Sequence, residues 1–212
     1  VKMANKDLTV IASGGDGDGY AIGMGHTIHA LRRNMNMTYI VMDNQIYGLT
    51  KGQTSPSSAV GFVTKTTPKG NIEKNVAPLE LALSSGATFV AQGFSSDIKG
   101  LTKLIEDAIN HDGFSFVNVF SPCVTYNKIN TYDWFKEHLT SVDDIENYDS
   151  TDKQLATKTV IEHESLVTGI VYQDKETPSY ESQIKELDDT PLAKRDIKIT
   201  EDTFNALTEQ FI

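Results

Sequence analysis

Two carboxylates stand among closely spaced glycines in the stretch GGDGDG, which directly follows the apolar run LTVIA at residues 8–12. That run predicts a buried strand, and the glycines after it let a charged ligand approach the backbone. A helix beginning near Asp18 would point its free N–H groups at the same place, where they favour an anion such as a diphosphate. Because the carboxylate of Asp16 would repel a phosphate, a cation is needed between them, and Mg²⁺ suits that position.

A second pair of oxygen-bearing side chains follows the next predicted strand, TYIVM at residues 38–42. Asp43 and Asn44 come directly after it, and ligands of a parallel sheet gather at the carboxyl ends of its strands. Adjacent strands lie about 4.8 Å apart, so side chains at two neighbouring strand ends can share one small ion. We therefore predict a Mg²⁺ ion held by Asp16, by the amide oxygen of Asn44 and by the backbone carbonyl of Ile46.

The elements that must position these residues alternate between strands and helices. Runs rich in β-branched and aromatic residues predict further strands at residues 88–91, 116–120 and 169–173. Apolar periodicity predicts helices at residues 20–33, 77–85, 96–111 and 201–211, the third of them capped by Ser96. This order predicts an α/β fold with a parallel sheet covered by helices on both faces. The long segment 49–76, rich in Gly, Pro, Ser and Thr, predicts a functional loop.

The composition limits the classes of function open to the chain. It has 212 residues, of which 39% are hydrophobic, enough for one substantial core. The longest apolar runs fall well short of the roughly 20 residues that a membrane span needs. The single cysteine, Cys123, suits a reducing compartment, and the net charge of −10 argues against nucleic-acid binding. We therefore expect a cytoplasmic protein that binds neither membranes nor nucleic acids.

The charge is unevenly distributed along the chain. Acidic and basic side chains balance in residues 1–140, whereas acidic side chains predominate in residues 141–212. We therefore predict a ligand-binding α/β domain at 1–140 and an acidic C-terminal extension at 141–212, packed on the same domain. The first residues, VKMANKD, are typical of a helix end leading into a strand, so we expect that an N-terminal portion of the domain is missing.

These motifs resemble those of a known family. A GDG followed by an Asn at this spacing resembles the thiamine diphosphate-binding motif. The strings GDGD, DNQIYGLTKGQTSP and SPC resemble the β subunit of 2-oxoacid:ferredoxin oxidoreductases over roughly residues 1–130. The resemblance implies a thiamine diphosphate-binding fold and oxidative decarboxylation of a 2-oxoacid, either 2-oxoglutarate or pyruvate, with coenzyme A. It also implies electron transfer through an iron–sulfur cluster to ferredoxin, and a partner α subunit without which the chain is inactive.

The resemblance further implies roles for individual residues. Asp16, Asn44 and the Ile46 carbonyl would hold Mg²⁺, which agrees with the set inferred from the strand ends. The resemblance also places Gly15, Gly17 and Asp18 along the diphosphate. Apart from the resemblance, His26 near the glycine-rich turn and Gly48, Leu49 and Thr50 in the loop are further cofactor-binding candidates.

Cys123 is assigned by the same resemblance, and Lys51 is a candidate because of its place in the loop. Cys123 would be one ligand of a [4Fe–4S] cluster, although a free cysteine after an apolar strand is commonly just buried. Lys51 is by default a solvated loop lysine, but beside a diphosphate and an oxoacid it would bind the substrate carboxylate as a point charge.

Other functions stay open at this point. Another thiamine diphosphate enzyme, such as a non-oxidative decarboxylase or an acetolactate synthase-like enzyme, would share GDG, although LTKGQTSP and SPC speak against it. A Rossmann-type nucleotide-binding module would use Asp43 on a ribose, but the third glycine of G-x-G-x-x-G is absent. A non-catalytic subunit could keep the fold without the activity.

Overall fold

The structure, a computed structural model, describes residues 1–188, 190–196 and 198–211. Its strands are β1 (Ile11–Gly15), β2 (Met37–Asp43), β3 (Phe89–Phe94), β4 (Phe114–Phe120), β5 (Thr140–Ser141) and β6 (Val167–Gln173). Its α-helices are α1 (Met24–Arg33), α2 (Pro78–Ser84), α3 (Ile98–Asn110), α4 (Tyr132–His138), α5 (Lys153–Glu162) and α6 (Glu201–Thr208). Shorter turns comprise a π-helical turn at Asp18–Ile22 and 3-10 turns at Val142–Asp144, Glu181–Gln183, Lys185–Leu187, Leu192–Lys194 and Glu209–Phe211.

The six strands form one sheet in the order β1-β2-β4-β3-β6-β5. The first four are parallel, so the predicted α/β arrangement is confirmed for the strands that precede residue 121. The strand predicted at 169–173 is β6, but it runs antiparallel to β3, with a bulge between Val90 and Ala91. Such reversed strands are common at the side of a largely parallel sheet.

Helices cover both faces of the sheet, as predicted. Along β4, Phe116 points to the face that packs against α1, α2 and α5, whereas Val117 points to the face that packs against α3. This alternation divides the apolar interior into two clusters, one on each side of the central strands. The division into 1–140 and 141–212 stays a prediction. The strand β6, from the second range, pairs with β3 of the first range, and α5 packs on one face of the same sheet.

Several element boundaries differ from those predicted. The first strand begins at Ile11 rather than at residue 8. It lies at the side of the sheet, where half of the Ile11 surface is exposed, so apolar residues are a poor guide to its bounds. The helix predicted at 20–33 is interrupted at Gly23, so a π-helical turn precedes α1. The cap of α3 is Asp97 rather than Ser96, because the Asp97 carboxylate accepts a hydrogen bond from the Gly100 N–H at 3.0 Å.

Residues 44–77 join β2 to α2 and fold back onto the sheet. The buried Asn71 organises this segment, because its Nδ2 donates to the carbonyls of Ser58 at 3.1 Å and Glu73 at 3.0 Å. Gly70 has a left-handed φ of 90°, and a Cβ there would lie 3.0 Å from the Gly61 carbonyl oxygen. The segment therefore has a defined path that returns to the carboxyl ends of the strands.

At the amino ends of β2, β3 and β4, which we call the N-terminal edge, Asn34 is a hub of hydrogen bonds. It ends α1 in the left-handed conformation, with φ of 51°. Its Oδ1 accepts from Thr88 Oγ1 at 2.6 Å and from the Phe114 N–H at 2.8 Å. Its Nδ2 donates to the carbonyls of Thr177, at 3.4 Å, and Pro178, at 3.1 Å. One side chain thus joins α1, two strands and the segment after β6.

Across residues 1–188, 190–196 and 198–211, each helix is too short or too polar to cross a membrane.

Candidate functional site

The candidate site lies at the carboxyl ends of β1 and β2, which we call the C-terminal edge. The two strands are parallel neighbours, and Gly15 at the end of β1 pairs with Met42 of β2. Asp16 follows β1, whereas Asp43 ends β2 and Asn44 follows it. The structure therefore brings the two predicted acidic strand ends to the same edge of the sheet.

Asp16 is 3% exposed and is held by two serine hydroxyls from the long loop. Its Oδ2 accepts from Ser55 Oγ at 2.5 Å and lies 2.6 Å from Ser57 Oγ. The Ser57 hydroxyl also lies 2.7 Å from Oδ1 of Asp43. Sequence reasoning missed both serines. The signal was the run TSPSS, which contributes hydroxyls to a loop that the composition already predicts to be functional.

The two carboxylates compete for one proton. A serine hydroxyl carries a single hydrogen, so Ser57 can donate to Asp16 or to Asp43 but not to both. The second short contact is favourable when a carboxyl carries a proton of its own. Burial, and next the negative charge of Asp16, raise the pKa of Asp43 to about 7. When both acids are ionised, their buried negative charges repel each other. A bound cation would offset that repulsion.

The turn after β2 presents oxygen atoms beside these carboxylates. The Asn44 Oδ1 accepts from the Ile46 N–H at 3.1 Å, and Gln45 between them has a left-handed φ of 58°. Among the described residues, no group of three or more His, Cys, Asp and Glu side chains is placed to hold a metal. A cation here would accordingly need amide and carbonyl oxygens in addition to a carboxylate, and such hard oxygen ligands suit Mg²⁺.

Other side chains come very close to two of the glycines. A Cβ on Gly17 would lie 2.0 Å from Cε1 of Tyr47, and a Cβ on Gly14 would lie 2.2 Å from Oδ2 of Asp18. At Gly17 the turn after β1 therefore packs directly against the Tyr47 ring, which leaves no room there for a side chain. Asp18 itself is exposed, at the first residue of the π-helical turn.

Residues 47–53 form a small hairpin at the rim of the site. Tyr47 and Gln53 pair as an antiparallel bridge, and the Gly52 N–H donates to the Tyr47 carbonyl at 2.8 Å. The predicted residues Gly48, Leu49, Thr50 and Lys51 make up its tip. Leu49 is 99% exposed, and Lys51 is exposed with a left-handed φ of 77°.

Cys123 also reaches this rim. It is half-buried, and its Sγ lies 3.4 Å from the place where a Cβ on Gly48 would be. The structure therefore brings the predicted cluster ligand beside the predicted cofactor hairpin. His26 is exposed on α1, and its role stays a prediction.

Family comparisons divide the chain into two matched regions. Residues 1–119 match the C-terminal TPP binding domain of thiamine pyrophosphate enzymes. Residues 123–189 match the C-terminal region of the pyruvate ferredoxin oxidoreductase β subunit. The first region contains the whole of the Asp16, Asp43 and Ser57 cluster.

Individual relatives agree with these matches. The chain is 42% identical over 195 residues to the 2-oxoacid:ferredoxin oxidoreductase subunit beta of a Sulfolobus species, covering 87% of this chain and 64% of that protein. It is 47% identical over 125 residues to the 2-oxoglutarate oxidoreductase subunit KorB of Mycobacterium tuberculosis, covering 59% of this chain and 34% of that one. The chain thus spans less than two thirds of these relatives.

A solved structure shares the fold. The 2-oxoglutarate:ferredoxin oxidoreductase of Magnetococcus marinus, with 2-oxoglutarate, coenzyme A and succinyl-CoA bound, matches with a TM-score of 0.86 and 38% sequence identity. The match covers 97% of this chain and 69% of that one.

Proposed function

The chain belongs to the β-subunit family of 2-oxoacid:ferredoxin oxidoreductases, and from that membership we propose that it holds the thiamine diphosphate and the Mg²⁺ of such an enzyme. The family resemblance inferred from GDGD, DNQIYGLTKGQTSP and SPC is confirmed. The alternatives of an acetolactate synthase-like enzyme and of a Rossmann module are not favoured by these matches.

The proposed reaction is the oxidative decarboxylation of a 2-oxoacid with coenzyme A to an acyl-CoA and CO₂, with ferredoxin as the electron acceptor. We propose 2-oxoglutarate as the substrate in preference to pyruvate, because the structural relative from Magnetococcus marinus has 2-oxoglutarate bound. An α subunit is the expected partner, since β subunits of this family are named as parts of a larger enzyme.

The observation that carries this proposal is the contact of Ser57 with both Asp16 and Asp43 at two parallel strand ends. Two buried carboxylates around one hydroxyl are stabilised by a divalent cation, and a diphosphate beside them requires the same cation. In this proposal Mg²⁺ binds Asp16, the Asn44 amide oxygen and the Ile46 carbonyl. Gly15, Gly17 and Asp18 would hold the diphosphate, and His26 would reach the cofactor from α1.

Thiamine diphosphate, when bound, supplies the carbanion chemistry of decarboxylation, and this chain's residues hold and surround it. Gly48, Leu49 and Thr50 line the cofactor from the hairpin 47–53. Lys51, one residue further along, binds the substrate carboxylate as a point charge. The exposed Leu49 lets this hairpin pack against the cofactor or the α subunit.

Cys123 is proposed as a ligand of a [4Fe–4S] cluster near the hairpin. The chain has a single cysteine, so the other ligands come from outside these 212 residues. A reducing, cytoplasmic environment keeps such a thiol available.

The proposed function is tested by viologen reduction with the intact αβ complex, coenzyme A and a panel of 2-oxoacids. We expect activity with 2-oxoglutarate that requires both thiamine diphosphate and Mg²⁺. Activity confined to pyruvate would move the substrate assignment, and binding of NAD without binding of thiamine diphosphate would overturn the cofactor assignment.

The cluster assignment has its own test in the complex purified without oxygen. Cys123→Ala is expected to lower its iron and sulfide content, whereas Ser121→Ala, at the same strand end, should leave both unchanged. Equal iron in the two variants would make Cys123 a structural residue only.

A further inference from the structure

Beneath the candidate site, a chain of hydrogen bonds passes through the centre of the sheet. Asn118, in the middle of β4, is fully buried. Its Nδ2 donates to Gln92 Oε1 at 2.8 Å and, more weakly, to Asp43 Oδ2 at 3.4 Å. Its Oδ1 accepts from the Tyr20 hydroxyl at 2.6 Å. Asn118 therefore contacts both the turn after β1 and the end of β2.

The direction of each bond in this chain is fixed by backbone carbonyls at its far end. Gln92 Nε2 lies 2.7 Å from the carbonyl oxygens of both Ser165 and Val167, so this nitrogen must be the donor and Oε1 must face Asn118. Asn118 consequently turns Nδ2 toward Gln92 and Oδ1 toward Tyr20. Burial raises the pKa of Tyr20 well above its ordinary value, which keeps its hydroxyl a donor.

This chain lies in a part of the core that apolar residues would otherwise fill. Tyr20, Gln92 and Asn118 are each at most 2% exposed, and a buried amide or hydroxyl is unfavourable unless it is hydrogen-bonded. The other buried residues of β3 and β4 are mostly Phe, Val and Ala. A fully paired polar chain in such a position fixes one arrangement of the segments that it joins.

The two segments joined by Asn118 carry the predicted metal ligands. Tyr20 lies in the π-helical turn four residues after Asp16, and Asp43 immediately precedes Asn44. Ser57 connects the same two segments from the loop side, through its contacts with Asp16 and Asp43. The ends of β1 and β2 are thus linked twice, by Ser57 from the loop and by Asn118 from the interior of the sheet.

We propose that Asn118 is a positioning residue for the Mg²⁺ and thiamine diphosphate site, setting the separation of Asp16 from the Asn44 turn through Tyr20 and Asp43. This inference rests on the proposed function. Asn118 touches neither cofactor nor substrate. Its effect is on how closely the ligand atoms match the geometry that Mg²⁺ demands.

The test is the Mg²⁺ concentration that half-saturates thiamine diphosphate binding, measured on the intact αβ complex. Tyr20→Phe keeps the ring and removes only the hydroxyl on Asn118 Oδ1, and we expect this concentration to rise about tenfold. Asn118→Asp keeps the volume but replaces the donor facing Asp43 with an acceptor, and we expect a larger rise.

Ser115→Ala is the matched control. Ser115 lies three residues earlier in β4, is equally buried, and its hydroxyl donates to the Ala108 carbonyl at 2.6 Å. We expect it to lower the thermal midpoint as much as Tyr20→Phe does, with the Mg²⁺ requirement within about twofold of wild type.

The outcomes separate the two proposals. A Tyr20→Phe complex with the wild-type Mg²⁺ requirement would overturn the positioning role while leaving the proposed function intact. A wild-type complex that binds thiamine diphosphate equally well without Mg²⁺ would overturn both.

Discussion

Polar side chains meet at both edges of the sheet, but they are paired in opposite ways. At the N-terminal edge, Asn34 offers its amide oxygen to two donors and its nitrogen to two carbonyls. At the C-terminal edge, the hydroxyl of Ser57 lies between two carboxylates and can donate to only one. The first cluster is complete without any ligand, whereas the second has an excess of negative charge.

The hydrogen bonds at the N-terminal edge also fix which ring nitrogen of His111 carries a proton. Since Asn34 Oδ1 also accepts from a backbone N–H, Thr88 must give its one hydroxyl proton to Asn34. His111 Nε2, 2.8 Å from the Thr88 hydroxyl, is then the donor to it. No contact in this cluster needs an added proton or ion.

This difference gives a physical criterion for separating structural from functional polar clusters. Buried polar groups that satisfy each other stabilise the fold. Buried like charges destabilise it until a ligand compensates them, so they mark a binding site. If the two edges are divided in this way, substitutions at the N-terminal edge should reduce stability, and substitutions at the C-terminal edge should reduce ligand binding.

The largest effect is expected at the N-terminal edge. Asn34→Ala leaves Thr88, the Phe114 N–H and two carbonyls without their partner and places Ala in a left-handed conformation. We expect the free energy of unfolding in urea to fall by about 3 kcal/mol or more. Asn36→Ala is the control, because its amide bonds to the exposed Asp112 and should cost under about 0.5 kcal/mol. A similar loss in both variants would contradict the hub.

Asp16→Asn should have the reverse profile. It removes one of two competing charges, so we expect stability to be unchanged or slightly higher, while the affinity for Mg²⁺ and thiamine diphosphate falls about a hundredfold. Calorimetric titration of the intact complex measures the two affinities, and its thermal unfolding measures the stability. Asp112→Asn, the same change at the other edge, should leave the affinity unchanged. Undiminished binding by Asp16→Asn would remove Asp16 from the metal site.

Asp43 should make the stability of the metal-free protein depend on pH. Its pKa of about 7 in the folded chain lies above its ordinary 3.8, so folding favours the protonated form. Its contribution to stability is therefore full below the ordinary value and is lost as the pH rises toward 7. Asp43→Asn should abolish that loss and stabilise the metal-free protein above pH 7 by on the order of 2 kcal/mol. Parallel pH profiles for the variant and wild type would contradict this.

The smallest effect concerns His111. Burial lowers the pKa of His111, so the unfolded chain takes up a proton first as the pH falls below about 6.5. Stability should decline there by less than about 1 kcal/mol. His111→Gln, which keeps a donor toward Thr88, should remove this decline in thermal melts. His138→Gln, on α4, is the control that should leave it in place.

The C-terminal edge could be located from the sequence because its position follows from the topology of the sheet. Parallel strands end at the same edge, so Asp16 and Asp43 had to lie together once LTVIA and TYIVM were identified as neighbouring strands. Sequence reasoning did not locate Ser55 and Ser57, because their return to Asp16 depends on the bonds of Asn71 within a loop of no regular period.

The polar chain beneath the site was missed for another reason. Asn118 sits inside FVNVF, where apolar neighbours make the run a buried strand and give no sign of what one polar residue contacts. The helix α5 was not predicted, since periodicity weakens after residue 140. The direction of β6 is likewise set by packing against β3 rather than by its own residues.

The carbonyls that orient Gln92 also have a consequence for when the site is completed during synthesis. Gln92 is oriented by the carbonyls of Ser165 and Val167, which leave the ribosome long after the glycine-rich turn. A nascent chain that has emerged only as far as β4 contains every proposed Mg²⁺ ligand but lacks the acceptors that aim Gln92 and, through it, Asn118. Cofactor loading should therefore follow translation of β6 rather than accompany emergence of the site.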